Sequence, residues 1–312
     1  MKVSLDITKS VEENANLYFE KSKKARQKIE GAKEALEHSK KEYEKEKKAV
    51  QKTLSKMDLS LEPEQAKVIT RKHTYWFEKF RYTLTSTGFL CVTASDATSN
   101  EILIKKQTNP HDIVIHTELP GSPFTLIKVK HGCKLPQNVM DQTIYEASIA
   151  TISYSRLWRQ NLSEGETFSV WGDQPSKASK EGINVPKGSF VIIGKKTFSS
   201  VPLQLAIGIV DKKTVAFHEC ADVSFSESIQ GFSAFLDGKV IAGAPQSVAP
   251  YCTSYAQLQP GKEKTSDCAK RLQAFFSKSS GREIDLDDLI RLIPAGGSMI
   301  TKRETVSTDK MQ

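Results

Sequence analysis

Four rings and three charges crowd into seven residues at Trp76-Phe77-Glu78-Lys79-Phe80-Arg81-Tyr82, and no other stretch limits the fold as tightly. An apolar run, Gly88-Phe89-Leu90, follows it, and then a polar turn, Ser95-Asp96-Ala97-Thr98-Ser99-Asn100-Glu101. Rings at this density need a core on at least one side. The stretch therefore marks a junction, where a charged helix upstream is fixed to a mixed domain downstream.

Upstream, positions three and four apart run Val11, Ala15, Tyr18, Ser22, Ala25, Ile29, Ala32, Leu36, Ser39, Tyr43, Glu46, Val50, Thr53 and Met57, with Lys and Glu filling much of the space between. This 4-3 spacing predicts one strand of a coiled coil over residues 1–60, with a solvated single helix as the alternative. At ~1.5 Å per residue the seam is roughly 70 Å long. Pro63 then suits the start of a helix through Gln65 to Tyr82. That helix delivers Trp76, Phe77 and Phe80 to a core and leaves Lys79 and Arg81 for solvent or phosphate.

Downstream, strand-like runs occur at Phe89 to Thr93, Glu101 to Lys105, Ile113 to His116 and Phe124 to Val129, separated by Asn-Pro, Pro-Gly and His-Gly turns. They predict an antiparallel sheet. Gln137 to Arg159 reads as a helix whose Ala and Ser residues let it lie close on that sheet. Phe168 to Trp171, Phe190 to Gly194 and Leu203 to Val210 add strands, Ser266 to Ser277 and Asp285 to Leu292 add helices, and Lys302 to Gln312 reads as a frayed tail. The expected fold is α+β: a long N-terminal coiled-coil helix followed by a mixed, largely antiparallel sheet domain with packed helices.

The blocks in this region resemble those of the RNA-binding domain of the NFACT proteins. The similarity runs through WFEKFR, the glycine-aromatic-leucine strand, Asp96-Ala97 with Asn100-Glu101, Asp112-Ile113-Val114-Ile115-His116 and Leu119-Pro120-Gly121-Ser122. It continues through Ser155 with Trp158, Asp173-Gln174-Pro175-Ser176-Lys177, Lys187-Gly188-Ser189-Phe190 and Gly194-Lys195-Lys196. Asn14-Ala15 and Tyr18-Phe19-Glu20 resemble the opening of the family's second coiled-coil arm, and the segments around Ala244-Pro245 and Pro260-Gly261-Lys262 resemble its C-terminal module. The resemblance implies an arm at 1–60, an RNA-binding domain at 61–205, a C-terminal module at 206–302 and a tail at 303–312. It also implies that the chain corresponds to the C-terminal half of the family architecture. A separately encoded N-terminal half, or self-association through the coiled coil, would then supply the partner arm.

By that resemblance the chain is expected to act in ribosome quality control. Such factors bind a large ribosomal subunit that retains an obstructed peptidyl-tRNA and support tailing of the stalled chain, contacting tRNA or ribosomal RNA. A general RNA-binding module and a coiled-coil interaction protein are the other classes. Candidate phosphate contacts are Lys79, Arg81, Lys105, Lys106, Lys128, Lys130, Lys177, Lys195 and Lys196. Asp96, Asn100 and Glu101 would hold the turn or orient a base, and His116 would donate to phosphate or ribose or serve the strand end. Ser95, Pro120 and Ile193 stand where family members usually carry arginine, histidine and arginine, which implies a weaker or relocated RNA contact.

The bulk numbers fit these classes. The 312 residues are 38% hydrophobic and carry a formal net charge of +8, which favours a polyanionic partner without requiring one. Cys91, Cys133, Cys220, Cys252 and Cys268 are odd in number and widely spaced, so no disulfide framework or metal knuckle is expected, and a reducing cytoplasm fits. No signal peptide or membrane span is evident. No HExxH or GxSxG pattern occurs, and Gly194-Lys195-Lys196 fails as a phosphate loop because Ser189 and Lys196 occupy its glycine and hydroxyl positions. Neither an enzyme nor a bound cofactor is expected.

Overall fold

The computed structural model describes residues 10–16, 18–20, 22, 23, 26, 30, 75–177, 185–211, 215–226 and 228–305. The chain divides into two compact units, residues 1–72 and 73–312. In the first, helix α1 is described at 11–16 and 18–20. Ser10 and Glu13 set its start by a reciprocal cap: Glu13 N donates to Ser10 Oγ at 3.1 Å and Ser10 N donates to Glu13 Oε2 at 2.8 Å. Most of the coiled coil expected at 1–60, and the helix start near Pro63, lie outside the described residues.

The second unit opens with a 3-10 turn at Trp76–Lys79 and strands β1 (Arg81–Leu84) and β2 (Leu90–Thr93). Helix α2 (Ala97–Ile102) runs into a π-turn at Leu103–Gln107, followed by β3 (Ile113–His116), β4 (Thr125–Ile127), α3 (Gln137–Ser153) and α4 (Arg156–Arg159). Then come β5 (Glu164–Trp171), β6 (Pro175–Ser176), β7 (Val191–Ile192), β8 (Thr197–Pro202), β9 (Leu205–Val210), α5 (Ile229–Leu236) and β10 (Val240–Gly243). The last elements are α6 (Pro245–Val248), β11 (Cys252–Glu263), α7 (Thr265–Ser280), α8 (Leu286–Leu292) and β12 (Ser298–Thr305). Among the described residues no helix is long and apolar enough to cross a membrane.

The strands form antiparallel sheets in the orders β1-β2-β4-β3-β5-β8 and β10-β9-β11-β12, with β6-β7 as a separate pair. The fold is thus mixed α+β. In the first sheet side chains alternate as the pleat requires. Val92, Leu126, Val114 and Val170 share one face and pack with Phe77, Phe80 and Leu103. Cys91, Ile127, Ile113 and Ile115 share the other and pack with Ala147 of α3.

The four rings between Trp76 and Tyr82 join the core, Trp76 and Tyr82 only in part. Phe77 and Phe80 are buried, and Phe77 lies 5.4 Å from Phe225 and 6.0 Å from Phe232, edge to face. Their backbone, however, differs from the expected helix. The helical turn ends at Lys79, and Arg81 and Tyr82 belong to β1, which turns back at Thr85–Gly88 to pair with β2. The expected strand at Glu101 to Lys105 is instead the end of α2 and its π-turn. Asp96 caps that helix by accepting from Thr98 N and Ser99 N, each at 2.8 Å, which sets a helical start that the apolar run only continues. The expected helix to Arg159 breaks at Tyr154, and Ser155 Oγ caps α4 by accepting from Leu157 N. The expected frayed tail is strand β12 through Thr305, paired with β11. Contrary to the reading of the cysteines, Cys133 and Cys220 are bonded, and Cys91, Cys252 and Cys268 are buried thiols.

A buried carboxylate couples the two larger sheets. Glu146 of α3 has no exposed surface and accepts from Ser86 N at 2.7 Å, Gln142 Nε2 at 2.8 Å and Ser247 Oγ at 2.6 Å, as well as from Ser86 Oγ. Ser86 lies in the β1-β2 turn and Ser247 in α6, so one side chain joins both halves of the unit. Replacing Glu146 with Ala strands these donors in the interior. Urea unfolding is expected to show a loss of about 2–3 kcal/mol.

Candidate nucleic-acid interface

Four of the motif blocks, those around Asp96-Ala97-Asn100, His116, Leu119-Pro120-Gly121-Ser122 and Lys187-Gly188-Ser189-Phe190, meet at one open groove of about 470 Å³. Its frame is built by three side chains, Asp96 at the cap of α2 and Asn100 and Glu101 on the helix. Asp96 holds the helix start, and hydrogen bonds from Ser99 and Thr98 outweigh desolvation to keep its carboxyl below the ordinary range. Asn100 is buried; its Nδ2 donates to Ser122 O at 3.3 Å and Gly188 O at 3.5 Å, and its Oδ1 accepts from Phe124 N at 2.9 Å. Glu101 accepts from Gly188 N at 2.9 Å and pairs with Lys105 at 2.5 Å and Lys177 at 2.9 Å. Lys105 first, then Lys177, holds its carboxyl down to about 2.

The loop these groups grip requires glycine. Gly188 has φ of +79°, and a Cβ there would lie 2.6 Å from the Cα and carbonyl oxygen of Ala97. On the opposite wall His116 stacks on Phe124 with centroids 3.9 Å apart, and its Nε2 lies 3.1 Å from Ser122 O. Burial pushes the imidazole below its ordinary pKa. Phe190 meets Phe124 edge to face at 5.6 Å, and Lys196 lies 4.4 Å over Phe168 while pairing with Glu118 at 2.6 Å. The result is a floor whose accessible rings are His116 and Phe190, backed by the buried Phe124 and Phe168, with a rim of Lys187, Lys196, Asp96 and Glu118. An unpaired base can lie on such a floor. The rim's charges are balanced, so phosphate attraction alone does not dominate.

The candidate cations divide sharply. Lys128 is buried rather than presented to solvent: its Nζ donates to Gln107 O at 3.1 Å and to Asp112 at 2.6 Å, with Asp222 at 3.7 Å. Lys177 is committed to Pro186 O and Ser189 O and lies 4.4 Å over Phe190, so it closes the loop instead of meeting phosphate. Arg81 lies 4.1 Å over Tyr154 and donates to Arg291 O at 3.0 Å, and burial lowers its pKa. Arg291 answers by donating to Glu78 O and Phe80 O, so the two arginines clasp β1 to α8. Lys79, Lys105, Lys106, Lys130 and Lys195 are exposed. Of these Lys195 is the sequence neighbour of Lys196 in the groove lining but does not itself line it, and Lys130 lies at a different cleft.

Sequence reasoning omitted Lys187, Tyr154 and Phe168 from the site. Lys187 was signalled by its place beside Gly188, and Phe168 by strand alternation opposite His116. Among the described residues no cluster of three or more His, Cys, Asp or Glu could hold a metal ion.

Three substitutions separate frame from surface. Gly188→Ala is expected to destabilise the chain by at least about 1 kcal/mol and to displace the groove loop, measured as a lower Tm. Lys128→Met removes one partner of a buried ion pair and is expected to lower urea stability by about 3 kcal/mol. Lys195→Met is expected to leave stability within about 0.5 kcal/mol, as surface substitutions usually do.

Residues 74–194 match the NFACT protein RNA binding domain model. An archaeal Rqc2 homolog, aRqcH, from Methanocaldococcus jannaschii is 33% identical over 240 residues, covering 77% of this chain and 31% of that protein. The ribosome quality control complex subunit NEMF homolog of Drosophila melanogaster is 29% identical over 218 residues, 70% of this chain and 21% of its own length. Human ribosome quality control complex subunit NEMF is 32% identical over 153 residues, 47% of this chain and 14% of its own. The chain thus spans less than a third of the length of these relatives. Among solved structures, the C-terminal part of a fibronectin/fibrinogen-binding protein from Streptococcus suis aligns over 39% of this chain and 44% of its own at 13% identity, with a TM-score of 0.31. The ordered motif blocks, the groove they build and the matched domain agree: the chain belongs to the NFACT family, and residues 74–194 are its RNA-binding domain.

Proposed function

We propose that this chain is an RNA-binding factor of ribosome quality control, which engages a large ribosomal subunit retaining an obstructed peptidyl-tRNA and supports tailing of the stalled chain. It contributes binding and positioning, and the peptidyl transfer belongs to the ribosome. The supporting observation is the groove: all its lining residues except Lys196 fall within the matched RNA-binding domain, and family motif residues build its walls. The names of the relatives supply the ribosomal setting. Its working place would be the cytoplasm.

The balanced rim favours this reading over a general polyanion binder. Lys187 and Lys195 are exposed, whereas Lys196 pairs with Glu118. Neutralising about two to three phosphates on a single strand gives a log-log salt slope of roughly −1.5 to −2. Affinity would rest on stacking and hydrogen bonding to a particular RNA shape.

Co-sedimentation with isolated large subunits, with and without peptidyl-tRNA, across a salt series tests this. Preferential pelleting with the tRNA-bearing subunit and a shallow salt slope are expected. The double substitution Lys187→Glu and Lys195→Glu should weaken pelleting about tenfold or more without changing Tm. Equal binding to every RNA with a steep salt slope would leave only a general RNA binder.

A further inference from the structure

A second cleft, of about 640 Å³, lies apart from the groove and is lined by His111, Lys130, His131, Lys134, Trp171 and Asp173, among others. Trp171 is 47% exposed, an unusual state for the largest side chain. Strand alternation places it on the face of Ile113, opposite the face of Phe168 that floors the groove. The His111 and His131 rings meet edge to face at 5.0 Å. Lys130, His131 and Lys134 are exposed, and no ion pair occupies either lysine among the described residues.

The cleft is rigidly framed. Trp171 N donates to Gln174 Oε1 at 2.7 Å and Gln174 N donates back to Trp171 O, which holds the indole on a tight turn. A Cβ on Gly172 would lie 2.0 Å from Asn109 O, so this turn sits directly on the neighbouring 109–112 turn. The buried Asp112 carboxylate pins both remaining walls, accepting from Asn109 N at 2.7 Å and Val129 N at 3.0 Å. The loop carrying Lys130, His131 and Lys134 is tied further by Lys130 N donating to Cys220 O and by the Cys133–Cys220 bond. Helix α3 begins just past Leu135 of the lining, with no side chain capping its first amides. That end adds a partial positive charge beside the two lysines.

An exposed ring, two unpaired ammonium groups and two imidazoles around one preformed cleft suit a ligand that is planar at one end and anionic at the other. We propose that this cleft holds a single unpaired nucleotide of an RNA strand, with its base on Trp171 and its phosphate at Lys130 and Lys134. Asp173, the acidic group of the lining, opposes phosphate and instead accepts from a ribose hydroxyl. The site is independent of the groove, and its test is independent of the ribosome.

Tryptophan fluorescence of the full chain is titrated with uridine and adenosine 5′-monophosphates, then with hexameric U and A oligoribonucleotides and their deoxy counterparts. Quenching is expected, absent in Trp171→Phe with mononucleotides only if the stacked ring is the reporter, so affinity is also read from fluorescently labelled hexamers. Trp171→Ala should weaken hexamer binding about 5- to 100-fold. Lys130→Glu with Lys134→Glu should do likewise, and both variants should keep the parent Tm. RNA should bind more tightly than DNA in the parent and lose that preference in Asp173→Ala. Hexamer affinity within twofold of the parent in Trp171→Ala would overturn the proposal. So would equal quenching by an oligoglutamate peptide, which would make the cleft a protein-docking site. Loss of binding only in Lys187→Glu would assign the RNA to the groove and remove this site.

Discussion

Everything in the second unit depends on carboxylates and amides that are buried and fully occupied. Glu146 couples the six-stranded sheet to the four-stranded one through Ser86 and Ser247, and Asp112 pins two turns and receives Lys128. Asn100 binds α2 to the two loops of the groove. In a low-dielectric interior such groups are tolerated only when their partners are in place, so each specifies one arrangement of segments distant in sequence. Apolar packing supplies the bulk of cohesion, but these polar ties decide which loops face one another.

The division of labour explains the shape of the motif-rich region. Asp96, Asn100, Glu101, Lys177 and Gly188 look like binding residues in a sequence because they are polar and clustered. In the structure they spend their polar atoms largely on one another and on the backbone, and the groove's rings are supplied by His116, Phe124, Phe168 and Phe190, with Lys187, Lys196, Asp96 and Glu118 at the edge. A frame of this kind preorganises aromatic surfaces, which spares a bound strand part of the ordering cost of meeting a mobile loop.

The antiparallel α+β character, the strands β2, β3, β4, β5, β7 and β9 and the buried rings were legible from alternation, turn residues and aromatic density, whereas β1, β6, β8, β10, β11 and β12 were not. What escaped had non-local causes. The run Glu101-Ile102-Leu103-Ile104-Lys105 has the composition of a strand, and only the cap at Asp96 makes it helical. Lys128 alternates like an exposed strand residue, yet its partner Asp112 lies sixteen positions upstream. Arg81 meets an arginine 210 positions away, and Cys133 a cysteine 87 positions away. No spacing rule reaches such pairs. The site was correspondingly mixed: Asp96 and Asn100 hold the turn, one of the two roles weighed for them, while Lys128, Lys177 and Arg81 belong to the frame.

The arginine clasp has a consequence for synthesis. Arg81 and Tyr154 hold Arg291 O and Leu292 O, and Arg291 holds Glu78 O and Phe80 O, so the first strand of the six-stranded sheet is fastened by a helix some 210 positions downstream. Strand β9 likewise waits for β10 and β11 before its edges are paired. During translation, therefore, the region that carries the family motifs emerges well before its closing contacts exist. A chain terminated upstream of α8 would carry its signature intact and its clasp open.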